Sequence, residues 1–418
     1  MAIKRKIVAG IDIGTTKVCT CIGEVRSDEV KVLGTSLVKL ERGVSQGLIN
    51  HLMETSRAVK ASVDEAVQKA DVDFNSVWVS VGGYRSSGMR ISASKSITSR
   101  TRIIGKNDIE QLCREAKTKI TIPDDFEILH EQLQYFLLDG DNEVADPYGM
   151  VADNMSVSLY LVLTPSAVIS NVKNALANAD IPSIEGMVLQ QIASGWGSLS
   201  PDETELGVVH INMGGGTTSL SVIHRNRLLQ TSVLPVGACQ VTKDLAITLR
   251  TPMSDADKLK LRLGSVNLAE VSQEEVVEVN LIGTNQSQKV SRITVCDVIY
   301  ERCSEILDAI YRELQRIELR RELFTGVVLS GGGSLLNGMA GLAEERLRMP
   351  VRIGSPEKLS LPRGEQLGAM HSTAAGLLLY ARERMMQQYF NPEDKKASDA
   401  KKSRFIRFRD WMLGDGGR

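Results

Sequence analysis

Apolar positions along this chain follow two periods, and the switching between them lays out its elements. Short runs rich in β-branched residues predict strands at 7–13, 18–25, 76–83, 208–213, 220–224, 228–236 and 326–330. Helical spacing predicts helices over 58–70, 108–117, 166–179, 241–248 and 295–317, the last with Val298, Ile299, Ile306, Leu307, Ile310 and Leu314 on one side. Residues 251–264 read as a helix with Pro252 near its start and Gly264 at its end. The stretch 362–381 is rich in small residues and reads as a helix able to pack closely. Strand-like runs at 129–138 and 155–163 sit in an otherwise polar stretch punctuated by Arg85, Arg90, Arg100 and Arg102, which reads as an inserted small domain. Runs within 276–290 read as strands of a second small domain.

Three predicted strands end in glycine turns. Val208–Met213 leads into Gly214, Gly215, Gly216, Thr217 and Thr218. A triple glycine after a strand is by itself an ordinary hairpin turn. The N-terminus, however, carries a second copy, in which the strand at 7–13 holds Asp12 and runs into Gly14, Thr15, Thr16 and Lys17. Aligned on glycine, Asp12 falls opposite Asn212 and Gly14 opposite Gly214, and each copy continues into another apolar strand. Two related strand-turn-strand units imply two related half-domains facing one another. Their consecutive free N–H groups would make a concave site for phosphate. A third cluster, Gly331, Gly332, Gly333 and Ser334, follows a strand and precedes a helix start at 337–343; it offers a flat platform for a purine.

Composition narrows the picture. With 418 residues the chain can form several compact units around a large core, and 42% hydrophobic with 24% charged residues is ordinary for a globular protein. A formal net charge of -1 provides no basic field for nucleic acid. Six cysteines without a Cys-x-x-Cys pair suit a reducing compartment and no structural metal. Asp12 interrupts the first apolar run before a signal-peptide core can form, and no segment reaches the length of a membrane span.

The three glycine turns resemble the phosphate-1, phosphate-2 and adenosine motifs of the actin-like ATPase superfamily. That resemblance implies a two-lobed α/β fold with duplicated half-domains and ATP as ligand. Asp257 and Lys260 are three apart, hence on one helix face; they are either a solvated surface pair or, by the resemblance, contacts to the ribose. Gln190 and Gln191 either open an ordinary helix or, by the resemblance, place an amide near the γ-phosphate. With the insertion at 84–163 and the closing helix through Ala374, Ala375, Gly376 and Leu377, the chain resembles the bacterial cell-division family FtsA over nearly its whole length. The family organisation implies subdomain 1A at 1–83 with 164–200 and 355–390, and an inserted 1C at 84–163. It implies 2A at 201–240 with 295–354, 2B at 241–294, a linker at 391–402 and an amphipathic helix at 403–418. The family pattern has Asp where this chain has Asn212 and Ser219. Asp12 remains to hold Mg²⁺, with Asn212 a weaker uncharged ligand, so nucleotide binding is expected with weak or no hydrolysis.

The end of the chain adds a separate expectation. Residues 391–402 are polar and charged, as a tether should be. Beyond them Phe405, Ile406, Phe408, Trp411, Met412 and Leu413 spread over one broad side at about 100° per residue, with Arg407 and Asp410 opposite. Flanked by Lys401, Lys402 and Arg404, this reads as an in-plane anchor for an anionic lipid surface; the alternative is a helix docked on the protein's own core. The resemblance implies self-association into filaments, later division proteins as partners, and an FtsZ tail received by the second small domain. Arg292 and Arg302 near that domain either pair with the tail or are simply solvated. Two other readings stay open: a pilus-assembly protein of the PilM type, and an actin-fold sugar kinase or chaperone ATPase.

Overall fold

In the computed structural model, residues 5–98, 101–181, 184–284, 286–317, 325–362 and 364–390 are described. In chain order, β1 (Lys6–Ile13), β2 (Lys17–Val25) and β3 (Val30–Lys39) form a meander, followed by a small hairpin of β4 (Val44–Ser45) and β5 (Leu48–Ile49), then α1 (Leu52–Ala70) and β6 (Ser76–Val81). Next come β7 (Ser87–Ser96), α2 (Lys106–Thr118), β8 (Phe126–Leu138), β9 (Asn142–Val144) and β10 (Asn154–Pro165). The chain continues through α3 (Ser166–Ala177), β11 (Ile184–Leu189), α4 (Gln190–Ser198) and α5 (Pro201–Leu206).

A second meander consists of β12 (Val208–Met213), β13 (Thr218–His224) and β14 (Arg227–Leu234); α6 (Ala238–Thr248), α7 (Met253–Leu263), β15 (Val276–Asn280), β16 (Ser287–Ser291) and α8 (Arg292–Gln315) come after it. Finally β17 (Val327–Ser330), α9 (Met339–Leu347), β18 (Val351–Ile353) and α10 (Ser372–Phe390) close the chain.

The two large sheets repeat one plan. In the first the order is β11-β6-β1-β2-β3, and in the second, read from the same side, β18-β17-β12-β13-β14. Each has an antiparallel meander from its own hairpin and two further strands added in parallel. The register matches as well: Asp12 lies opposite Cys19 and Asn212 opposite Ser219 across their hairpins. The duplication predicted from two short motifs thus extends over five strands.

Helices cover these sheets where apolar stripes demand it. Val59, Val63 and Ala66 of α1 and Val172 and Leu176 of α3 bury against Ile11, Val18 and Val79 on one side of the first sheet. Ala374, Leu377 and Leu378 of α10 and Ala193 of α4 join Cys19, Cys21 and Val188 on the other. The second sheet packs against α6, α8 and α9 through Leu245, Ile299, Ile306 and Leu342. A Cβ on Gly197 would lie 2.0 Å from the Ser372 carbonyl, and one on Gly376 1.8 Å from the Ala193 carbonyl. That approach is what the small residues of both helices permit, as the small-residue stretch ending at 381 predicted for α10. One expectation fails: the helix predicted from 362 begins only at Ser372. The described residues before it form extended chain and a short 3-10 turn at Ala369–His371.

The insertion is a four-stranded sheet, β7-β10-β8-β9, with α2 laid over one face through Leu112, Cys113 and Ala116. It also reaches the second lobe. The outer edge of β14 is covered by side chains of β8 and β10, and the outer edge of β3 by the backbone of Ser360, whose N–H donates to Val30 and whose carbonyl accepts from Val32. Among the described residues no helix is long and apolar enough to cross a membrane. The anchor expected from Phe405, Ile406, Phe408, Trp411, Met412 and Leu413 lies outside the described residues.

Candidate functional site between the lobes

The two hairpin turns meet face to face. A Cβ on Gly215 would stand 2.7 Å from Thr16 Cγ2, and one on Gly216 2.6 Å from Thr15 Oγ1, so only glycine allows the second turn this close to the first. The turns are built alike: the Gly14 N–H donates to the Lys17 carbonyl at 2.9 Å and the Gly214 N–H to the Thr217 carbonyl at 2.8 Å. These bonds correct the expectation of wholly free amides, because the first glycine of each turn spends its N–H on closing the hairpin. Among the described residues the amides of Thr15, Thr16, Gly215 and Gly216 have no backbone partner, and they remain as anion donors. Thr217 and Thr218 are buried, and the Thr218 hydroxyl donates to the Val236 carbonyl.

Beneath the first turn lies Asp12, 5% exposed. Its Oδ1 accepts from Ser80 Oγ at 2.7 Å and from Gln190 Nε2 at 3.2 Å, and Thr373 bonds the same carboxyl. Burial raises its pKa above the ordinary carboxylate value, while the Ser80 bond, Lys17 and Gln190 hold it down. Of the two candidate glutamines, Gln190 reaches the site; Gln191 is buried in α4 and its Oε1 has no partner among the described residues. Ser80 and Thr373 escaped sequence reasoning, since they come from β6 and α10 and no local pattern ties them to Asp12.

Lys17 links the first turn to the third. Its Nζ donates to the Met370 carbonyl at 3.1 Å and lies 3.8 Å from where a Gly332 Cβ would be. Burial lowers its pKa. The third turn is a 3-10 segment, Gly332–Leu335, set by Gly331 at φ 81° and ψ 168°. A Cβ on Gly331 would fall 2.3 Å from Asn212 Oδ1 and one on Gly333 3.0 Å from Met213 Cβ, so this turn packs on the end of β12. Ser334 is buried, its hydroxyl donating to the Gly331 carbonyl at 2.7 Å.

Asp257 and Lys260 meet on α7 at 2.8 Å, but they are not a free surface pair. Lys260 also donates to Thr242 Oγ1 at 2.6 Å and to the Ala238 carbonyl at 3.4 Å, which fastens α7 to the start of α6 just behind Gly215. Arg292 bonds Glu275 at 2.7 Å and the Leu263 carbonyl; Arg302 bonds Asp244 at 2.5 Å and Glu305 at 2.6 Å. Both expected partner-binding arginines are therefore engaged within the chain.

A dedicated metal cage is absent among the described residues, where no group of three or more His, Cys, Asp or Glu side chains converges. With Asn212 neutral, the turns offer one carboxylate. A single carboxylate could not cage an ion alone, but it would be compatible with a magnesium ion that arrived with phosphate oxygens and kept its waters.

Comparison with known proteins fits this geometry. A family model described as cell division protein FtsA matches residues 209–376, and one described as the SHS2 domain inserted in FTSA matches 83–163. The cell division protein FtsA of Borreliella burgdorferi is 31% identical over 413 residues, covering 98% of each chain. That of Escherichia coli K12 is 28% identical over 427 residues, again covering 98% of each. Among solved structures, a PilM-PilN type IV pilus biogenesis complex aligns with a TM-score of 0.65 at 17% identity, covering 90% of this chain and 98% of that one. MreB5 of Spiroplasma citri bound to ADP aligns at 0.54 and 12% identity, covering 92% and 98%. The fold shared with those two is actin-like, and by sequence over its whole length the chain belongs to the FtsA family of cell-division proteins.

Proposed function

We propose that this chain binds ATP between its lobes, assembles into filaments, and ties FtsZ polymers to the inner face of the cytoplasmic membrane at the division septum. The observation that carries the nucleotide reading is the pair of matched turns facing each other over Asp12 and Lys17. The amides of Thr15, Thr16, Gly215 and Gly216 would hold phosphate, Lys17 would add charge, and Gly331, Gly332, Gly333 and Ser334 would seat the base. Asp257 and Lys260 would meet the ribose by exchanging bonds now made to Thr242. Asp12 would hold Mg²⁺, which when bound neutralises phosphate charge. MreB5 of Spiroplasma citri, with the same fold, is described bound to ADP.

The role is a switchable scaffold with weak or no turnover. Replacing Asp by Asn212 leaves the amide cradle intact and removes a carboxylate that would order the ion and its waters, so binding survives better than catalysis. For the FtsZ tail, Arg292 and Arg302 would have to give up Glu275, Asp244 and Glu305 to acidic residues of the tail, which makes capture competitive and salt-sensitive. Residues 403–418 would lie in the lipid surface and, in filaments, act together through avidity; later division proteins would then be recruited to the assembled array.

Co-sedimentation of the full chain with FtsZ and vesicles containing anionic lipid, with and without ATP, tests this. FtsZ should pellet only when the chain is present, and removing residues 403–418 should abolish that while leaving nucleotide binding intact. Pelleting that survives the truncation would refute the tether. Rapid steady-state phosphate release would instead favour an active ATPase.

A further inference from the structure

Side chains alternate along β12, and the face that carries His210 is polar. His210 and Asn212 stand two apart on it, with Ser221 and Ser219 as their partners across the hairpin, and all four are buried. His210 Nε2 lies 2.9 Å from Ser330 Oγ on β17 and 3.2 Å from Ser198 Oγ at the end of α4. The Ser198 hydroxyl donates to the Ser194 carbonyl, so towards the ring it can only accept. Nε2 therefore carries the ring hydrogen and shares it between the two serine oxygens. Nδ1, on the side where a Cβ on Gly195 would stand 3.8 Å away, has no partner among the described residues.

One ring thus joins elements that serve the cleft from two directions. Ser198 is the last residue of α4, whose first residue, Gln190, bonds Asp12. Ser330 is the last residue of β17, and Gly331 directly after it sends the chain into the third turn. The Gly331 N–H in turn donates to the Ala369 carbonyl at 3.0 Å. Packing alone does not account for an imidazole here. An apolar side chain would fill the position without desolvating a polar group, whereas a bare buried Nδ1 costs stability. What the ring adds is a fixed spacing between the helix that reaches Asp12 and the strand end from which the third turn springs.

We infer that His210 is a positioning residue that holds the third turn in register with the two phosphate turns. This rests on the reading of the cleft as a nucleotide site with the base on residues 331–334. His210 touches no ligand in this scheme and acts through Ser330. The turns at Gly14 and Gly214 are closed by their own backbone bonds and do not depend on the ring. Losing His210 therefore costs affinity for the base end of a nucleotide and spares the phosphate end.

The test uses the full chain. Calorimetric titration measures binding of ATP and of inorganic tripolyphosphate, both with Mg²⁺, and amide exchange over residues 331–336 and 14–17 is followed without ligand. His210→Val and Ser330→Ala should each weaken ATP about tenfold, leave tripolyphosphate unchanged, and speed exchange over 331–336 but not over 14–17. The double variant should lose no more than either single, because both cut the same bond. His210→Gln, whose amide can still donate to Ser330, should restore ATP binding, a rescue that a packing role would not give. Thermal unfolding confirms that the variants are folded, and Ser330→Ala, which removes one oxygen, carries the test should His210→Val not fold. Variants that lose ATP and tripolyphosphate in equal measure, or that leave exchange over 331–336 as in wild type, overturn the positioning role while the nucleotide site stands. Wild type that binds no ATP overturns both.

Discussion

Gly331 offers a sharp check on how the third turn is built. Its backbone, at φ 81° and ψ 168°, lies in a region that residues with a Cβ essentially do not enter, at a cost of about 1–3 kcal/mol. In Gly331→Ala the methyl would also fall 2.3 Å from Asn212 Oδ1 and 2.6 Å from the Met213 carbonyl. One of these is main chain and cannot rotate away, which adds about 1–3 kcal/mol of overpacking. Together the variant should lose about 2–6 kcal/mol, a large part of the total stability of an ordinary domain. Gly341, ten residues on, is the control. It sits inside α9 with nothing within 4 Å of where a methyl would stand, and Gly341→Ala should gain up to about 1 kcal/mol. Urea unfolding followed by circular dichroism reads both, and equal slopes would show that the unfolded states are comparable. A Gly331→Ala protein within 0.5 kcal/mol of wild type, as an approximate threshold, would refute the geometry argued for this turn, and with it the platform for a base.

Asp12 trades stability for function. Because burial raises its folded pKa above 3.8, its contribution is favourable below that pH and is lost as pH rises through the folded value. Asp12→Asn should therefore unfold at a higher temperature than wild type at pH 7 and lose that advantage near pH 4, while binding Mg-nucleotide more weakly; a less stable variant at pH 7 would contradict this. His210 works in the other direction. Burial, with Arg352 adding to it against Glu203, lowers its pKa to about 3, and its Nε2 is shared by Ser330 at 2.9 Å and Ser198 at 3.2 Å. The unfolded state takes up a proton below about 6.5 and the folded state does not, so wild type should lose stability by up to about 1.4 kcal/mol per pH unit as pH falls from 6.5 towards 3. His210→Gln should flatten that slope, and an unchanged slope would mean that His210 is not the group responsible. Removing residues 403–418 should leave unfolding unchanged and abolish vesicle binding.

The fold was legible where local pattern dictates structure. Alternating and helical periods located many of the longer elements to within a few residues but left β3, β7 and β11 unpredicted, and the Asp12 and Asn212 motifs exposed the duplication because two copies of one turn need the same glycines. Prediction failed where the answer is long-range. Residues 362–371 carry helix-compatible small residues, but Gly368 and Pro362 interrupt them, and the Gly331 N–H takes the Ala369 carbonyl, so that the chain there is fixed by the third turn rather than by its own period. Ser80, Thr373 and the His130, Gln132 and Gln134 series leave no signal that one sequence reveals, since their partners lie on elements 59 to 361 residues away in the chain.

The covering of the two sheet margins has a corollary for the origin and handling of the molecule. The rim of the first sheet is closed by Ser360, on the chain leaving the second, and the rim of the second is closed by the domain growing out of the first. Neither half can be produced by itself without baring a row of unpaired amides and carbonyls, a template for uncontrolled strand addition. Severing the polypeptide near residue 200 should give two sticky fragments that dissolve only when expressed together, and an ancestral single half would have needed a twin to protect it.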